Sequence, residues 1–82
     1  MTDADIIGLV KEALFEVAPN QDFDDLAMNT AIETLGLDSI TTMEMVGFLE
    51  DRVDTTFPDE ELAKVQAVKD LGALIRGQRV GA

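Results

Sequence analysis

Leu35-Gly36-Leu37-Asp38-Ser39-Ile40 runs without a break into Thr41-Thr42-Met43-Glu44-Met45-Val46-Gly47-Phe48-Leu49-Glu50-Asp51. Aspartate is a strong helix N-cap, because its carboxylate accepts a backbone N–H that the first turn leaves without an intrahelical partner. Met45, Val46, Leu49 and Val53 then recur at helical spacing as one apolar stripe, while Met43, Glu44, Gly47, Glu50 and Asp51 fall mostly away from it. The stretch predicts an acidic, amphipathic helix that opens with a serine. Gly47 in mid-helix costs up to about 1 kcal/mol relative to Ala. That cost points to close approach on its face, with a plain loss of propensity as the equal alternative.

Read as a nucleophile, Ser39 would need a general base and an oxyanion site. The chain contains no His, and Lys11, Lys64 and Lys69 lie far away in sequence. Gly36-Leu37-Asp38-Ser39 is not a G-x-S-x-G elbow, and no strand pattern precedes it. A serine of this kind is an attachment point or merely part of a helix start.

Outward from this stretch, Thr2 with Asp5 three residues later reads as a capping box. Ile6, Leu9, Val10, Ala13, Leu14 and Val17 form a buried stripe, predicting a helix over residues 3–17 that Pro19-Asn20 ends. Residues 18–37 form a long connection anchored by Phe23, Leu26, Met28, Ile32, Leu35 and Leu37, with a helical turn expected within residues 22–28. A connection of that length inside a small domain is often functional. Phe57-Pro58 interrupts the chain, and Pro58-Asp59-Glu60-Glu61-Leu62 predicts a short helix with proline at its first position. Val65, Val68, Leu71, Leu74 and Ile75 predict a last helix over residues 67–76, closed by Gly77, with residues 77–82 as a loose tail. The expected fold is all-α: one domain over residues 1–82, a small up-and-down bundle of three main helices plus a short one, with a long first loop.

Composition narrows the function. With no Cys among 82 residues, neither a disulfide nor a thiolate zinc site can hold the core. The lack of His removes the usual neutral-pH base and the commonest transition-metal ligand. No apolar run approaches a membrane span, and Met1-Thr2-Asp3 lacks a basic leader. The expectation is a cytoplasmic monomer, and Met1 with a capped first helix favours a free-standing protein. The net charge is −11, and residues 19–61 carry twelve acids against one base, Arg52. Such a field repels nucleic acid and anionic membranes and attracts basic protein surfaces, although a merely solvated acidic face has the same sign.

The combination of Leu35-Gly36, Asp38-Ser39-Ile40, the following acids and Phe57-Pro58-Asp59-Glu60-Glu61 resembles the acyl carrier protein family over nearly the whole chain. The resemblance implies that Ser39 receives 4′-phosphopantetheine from coenzyme A through a magnesium-dependent phosphopantetheinyl transferase. The missing thiol would then arrive on the prosthetic group, and acyl groups would be carried as thioesters; the protein itself would be no enzyme. By the same resemblance Asp38 recruits the transferase and its metal. Ile40, Met43, Glu44, Gly47, Glu50 and Asp51 meet basic docking patches on acyl-loading, condensing and modifying enzymes. Met45, Val46, Leu49, Phe57, Leu62 and Leu71 line the space into which an acyl chain folds back, each being first of all a core residue.

Thr34 stands where many members of that family have Asp, and Ile40 replaces the commoner Leu. Asp-Ser-Ile also occurs in carriers of peptide and polyketide assembly lines, but Leu37 does not fit the usual peptide-carrier pattern. Gln66-Ala67 lacks the Thr that often caps the last helix, which predicts a frayed start. Fatty-acid, polyketide and related pathways all remain open at this point. The rival reading is an acidic helical calcium-binding or protein-interaction module without a prosthetic group. Asp22, Asp24 and Asp25 cluster, but the EF-hand order with its central Gly and terminal Glu is absent.

Overall fold

The thread through the fold is the apolar stripe of each helix, which has to find another stripe to cover it. A computed structural model describes residues 1–78, and residues 79–82 of the expected tail lie outside that range. Helix α1 (Asp3–Val17) begins with both bonds of the Thr2–Asp5 capping box and buries Ile6, Leu9, Val10, Ala13 and Leu14. Helix α2 (Ser39–Val53) buries Met45, Val46 and Leu49, and α4 (Val68–Ile75) buries Val68, Leu71, Gly72 and Leu74. Helix α1 packs against both α2 and α4, so its stripe lies at the centre of the bundle. The short α3 (Asp59–Leu62) lies between α2 and α4 in the chain, with Pro58 at the N-cap and not at the first helical position.

The long loop differs from the expected turn over residues 22–28. Its helical element is a 3-10 turn, Ile32–Leu35, ending at Gly36 in the left-handed region (φ 73°). Residues 22–28 are held instead by local bonds: the Asp24 N–H donates to Asp22 Oδ1 at 2.9 Å, and the Leu26 N–H to the Phe23 carbonyl at 3.0 Å. The Asp22 carboxylate competes for a backbone N–H and so favours a local turn over a helical ladder.

The end of the loop is pinned to the start of α4. The Ile32 N–H donates to the Gln66 carbonyl at 2.8 Å, Val68 N–H to Thr30 at 3.0 Å, and Lys69 N–H to Met28 at 2.8 Å, around an antiparallel bridge between Ala31 and Ala67. Asp70 Oδ2 also accepts the N–H groups of Gln66 and Ala67, at 2.9 and 3.0 Å. The expected frayed start of α4 is therefore corrected. Ala67 cannot cap, but the carboxylate at the third helical position supplies the reverse half of a capping box. At the other end, Gly77 (φ 77°) turns the chain out of α4, and Gln78 N–H donates to the Ala73 carbonyl at 2.7 Å.

Candidate functional site

Gly36 sets up the site. A left-handed residue at the end of the 3-10 turn reverses the chain direction, at little cost for glycine, and aims Leu37-Asp38 at the start of α2. Leu35, just before it, is buried, and Leu37 is half-buried, so the turn is fastened to the core from both sides. Asp38 Oδ1 accepts the Thr41 N–H at 2.7 Å, while the Asp38 carbonyl accepts the Thr42 N–H and hydroxyl at 2.9 and 2.8 Å. The bond from Thr41 holds the Asp38 carboxyl below the usual aspartate value.

Ser39 follows as the first helical residue, and its side chain is exposed. A hydroxyl there stands over the positive end of the α2 dipole, where an anion is favoured. An exposed hydroxyl at a helix start can take a phosphodiester without disturbing the core. Beside Asp38 lies a cleft of about 310 Å³ between residues 17–21 and Gly36, Leu37, Asp38 and Thr41.

The remaining candidate residues separate into three settings. Ile40, Met43, Glu44, Gly47 and Asp51 share the outward face of α2. Ile40 is 75% and Met43 58% exposed, large values for apolar side chains. A Cβ built at Gly47 would meet nothing within 4 Å, so the fold itself does not require glycine there. Glu50 behaves differently: it is half-buried, and its Oε2 accepts the Phe57 N–H at 2.6 Å, tying α2 to the segment before α3. Met45, Val46, Leu49, Phe57 and Leu71 pack in the core, with Leu62 half-buried against it. An acyl chain entering between them would have to part these side chains.

Two contributors were not singled out from sequence. Thr41 donates its backbone N–H to the Asp38 cap, which leaves no signature in the residue type. Asp70 is recognisable only once Ala67 is known to begin a helix. Among the described residues, no three acidic side chains converge as a metal site would require, and no helix is long and apolar enough to cross a membrane.

Residues 4–75 match the family model described as the phosphopantetheine attachment site. The chain belongs to the acyl carrier protein family. It is 37% identical over 75 residues to an acyl carrier protein from an Exiguobacterium species, spanning 92% of this chain and 95% of that relative. An acyl carrier protein from Akkermansia muciniphila is 48% identical over 44 residues, or 54% of this chain and 55% of the relative. An acyl carrier protein homolog from Ureaplasma parvum is 34% identical over 44 residues, or 54% and 57%. No solved structure matches. The acyl carrier proteins are carriers and not catalysts, and their prosthetic group is phosphopantetheine. That role agrees with a chain that has neither His nor Cys.

Proposed function

We propose that Ser39 is the residue that carries 4′-phosphopantetheine, in a single carrier domain over residues 1–82 serving fatty-acid, polyketide or related biosynthesis. The observation that supports this reading best is an exposed serine hydroxyl at the first position of a capped helix, directly after an ionised aspartate. When bound, the group supplies a terminal thiol on a flexible arm, on which acyl groups travel as thioesters. The protein's own residues position and present it. The start of α2 favours the phosphate electrostatically, and the rigid cap keeps the serine at a defined place on the surface. Asp38 lies beside it to help recruit a transferase and its divalent cation.

On this reading the outer face of α2 receives basic patches of partner enzymes. Glu44 and Asp51 steer the encounter, and Ile40 and Met43 supply apolar contact at its centre. Gly47 allows a partner to approach the helix backbone closely. The test is mass measurement after incubation with coenzyme A, magnesium and a broad-specificity phosphopantetheinyl transferase. A gain of one phosphopantetheine that disappears in Ser39→Ala is expected. A gain that persists in Ser39→Ala would place the attachment elsewhere.

A further inference from the structure

Three of the chain's four phenylalanines, Phe15, Phe23 and Phe48, line one groove of about 620 Å³ between α1 and α2. Phe23 and Phe48 are half-buried against the core, but the core does not account for Phe15. Phe15 is 68% exposed, beside the α1 stripe that buries its neighbours Ala13 and Leu14. Gly8 also lines the groove, two turns before Phe15 on the same side of the helix. A Cβ at Gly8 would meet nothing within 4 Å. A helix-interior glycine with no steric cause and an exposed phenylalanine both run against propensity and burial. Together they keep an aromatic floor open.

Charge indicates the occupant. The Arg52 guanidinium lies 5.5 Å from the Phe48 ring centroid, and its NH1 donates to Glu12 Oε2 at 2.5 Å. With that pair satisfied, the rim retains Glu16, Asp22 and Asp24 against Lys11. All three acids are exposed, so the rim is net negative. A second copy carries the same rim and the same net charge of −11, which opposes pairing of this face with itself. Nucleic acid and anionic lipid are opposed by the same field.

We propose that this groove is a second docking surface, for a protein segment that combines a bulky apolar anchor with flanking lysine or arginine. Phe48 and Arg52 lie nine and thirteen residues beyond Ser39, roughly 14–20 Å along α2. They sit roughly a quarter to a third of a turn from the face carrying Ile40, Met43 and Asp51. A partner seated here leaves Ser39 accessible, so one enzyme can retain the carrier while another acts on its arm. Holding the carrier at two points raises the effective concentration of the second contact.

The test is a titration of the ¹⁵N-labelled chain with a synthetic amphipathic Leu/Lys peptide, compared with a Ser/Lys peptide of equal charge. Shifts centred on Gly8, Phe15, Phe48 and Arg52 are expected, at least tenfold weaker in Phe15→Ser and in Gly8→Gln. The Gly8→Gln change places a side chain over the floor and improves helix propensity, so an unchanged or raised Tm excludes unfolding as the cause. Ser39→Ala is expected to bind like the parent chain, which keeps this test separate from the attachment reading. Three results would overturn the proposal: shifts centred on Ile40 and Met43, equal binding of the Ser/Lys peptide, or Phe15-dependent dimerisation in sedimentation.

Discussion

Asp38 accepts the Thr41 N–H through its carboxylate and stands next to Ser39, so the observed cap and the proposed transferase-recruiting group are one side chain. Substitution can separate them. Serine is as good an N-cap as aspartate, whereas alanine is not. Asp38→Ser is expected to keep the Tm close to that of the parent and slow phosphopantetheine transfer, while Asp38→Ala lowers both. Equal loading rates for parent and Asp38→Ser would remove the recruiting role. The cap also carries a pH signature. Folding lowers the Asp38 pKa below its usual 3.8, as the Thr2 bonds lower that of Asp5. The stabilisation is therefore complete above that usual value and is lost as pH falls below it through the lowered folded value. Circular dichroism from pH 6 to 2 should show a steeper acid loss in the parent than in an Asp5→Ser/Asp38→Ser chain. Glu50 gives a second residue-scale test. Glu50→Ala removes the acceptor of the Phe57 N–H and should cost about 1–3 kcal/mol in denaturant unfolding. Glu50→Gln retains an acceptor and should recover much of that loss.

At the scale of elements, α1 and α2 were legible because their information is local. The Thr2–Asp5 box, the Asp38 cap and the three- and four-residue apolar spacing all lie within the segments they organise. The end of the long loop was not. Its anchors are backbone bonds from Ile32, Val68 and Lys69 to partners far away in sequence, and a backbone donor is the same for almost every residue type. The start of α4 departs from its sequence pattern for a related reason. Absence of a capping side chain at Ala67 is visible in sequence, but the reach of Asp70 back to two N–H groups depends on the chain path. Asp70→Ala should fray α4 and release the loop, at about 1–2 kcal/mol. Hydrogen exchange would show it as faster exchange at Ile32, Val68 and Lys69. If only residues 66 and 67 speed up, the loop is held independently of the cap.

For the whole molecule, the charge distribution sets a sign that individual ion pairs do not. Arg52–Glu12 and Arg76–Asp3 link separate parts of the chain, at 2.5 and 2.6 Å, but their side chains are substantially exposed. Exposed pairs of this kind contribute little. Repulsion among the excess acids is the larger effect, and salt screens it. Raising sodium chloride from 0.01 to about 0.5 M, where the Debye length is already well below 10 Å, should raise the Tm. A fall in Tm would mean that the ion pairs outweigh the repulsion. The same field has the sign that favours basic surfaces and opposes contact between two copies carrying −11 each.

The positions of α1 and α2, the Asp38 cap and the placement of Ser39 at a helix start were determined by the sequence alone, because caps and apolar periodicity act over three or four residues. The chemistry excluded by the absence of His and Cys was equally explicit. Tertiary structure alone decided that Glu50 turns toward Phe57, that Gly36 adopts the left-handed conformation, and that the loop bonds to α4. It also decided that Phe15, Phe23 and Phe48, scattered over 34 positions of sequence, surround a single groove. Periodicity can say which face of a helix is apolar. Which side chains from two helices and a loop meet at their shared edge depends on how those helices pack.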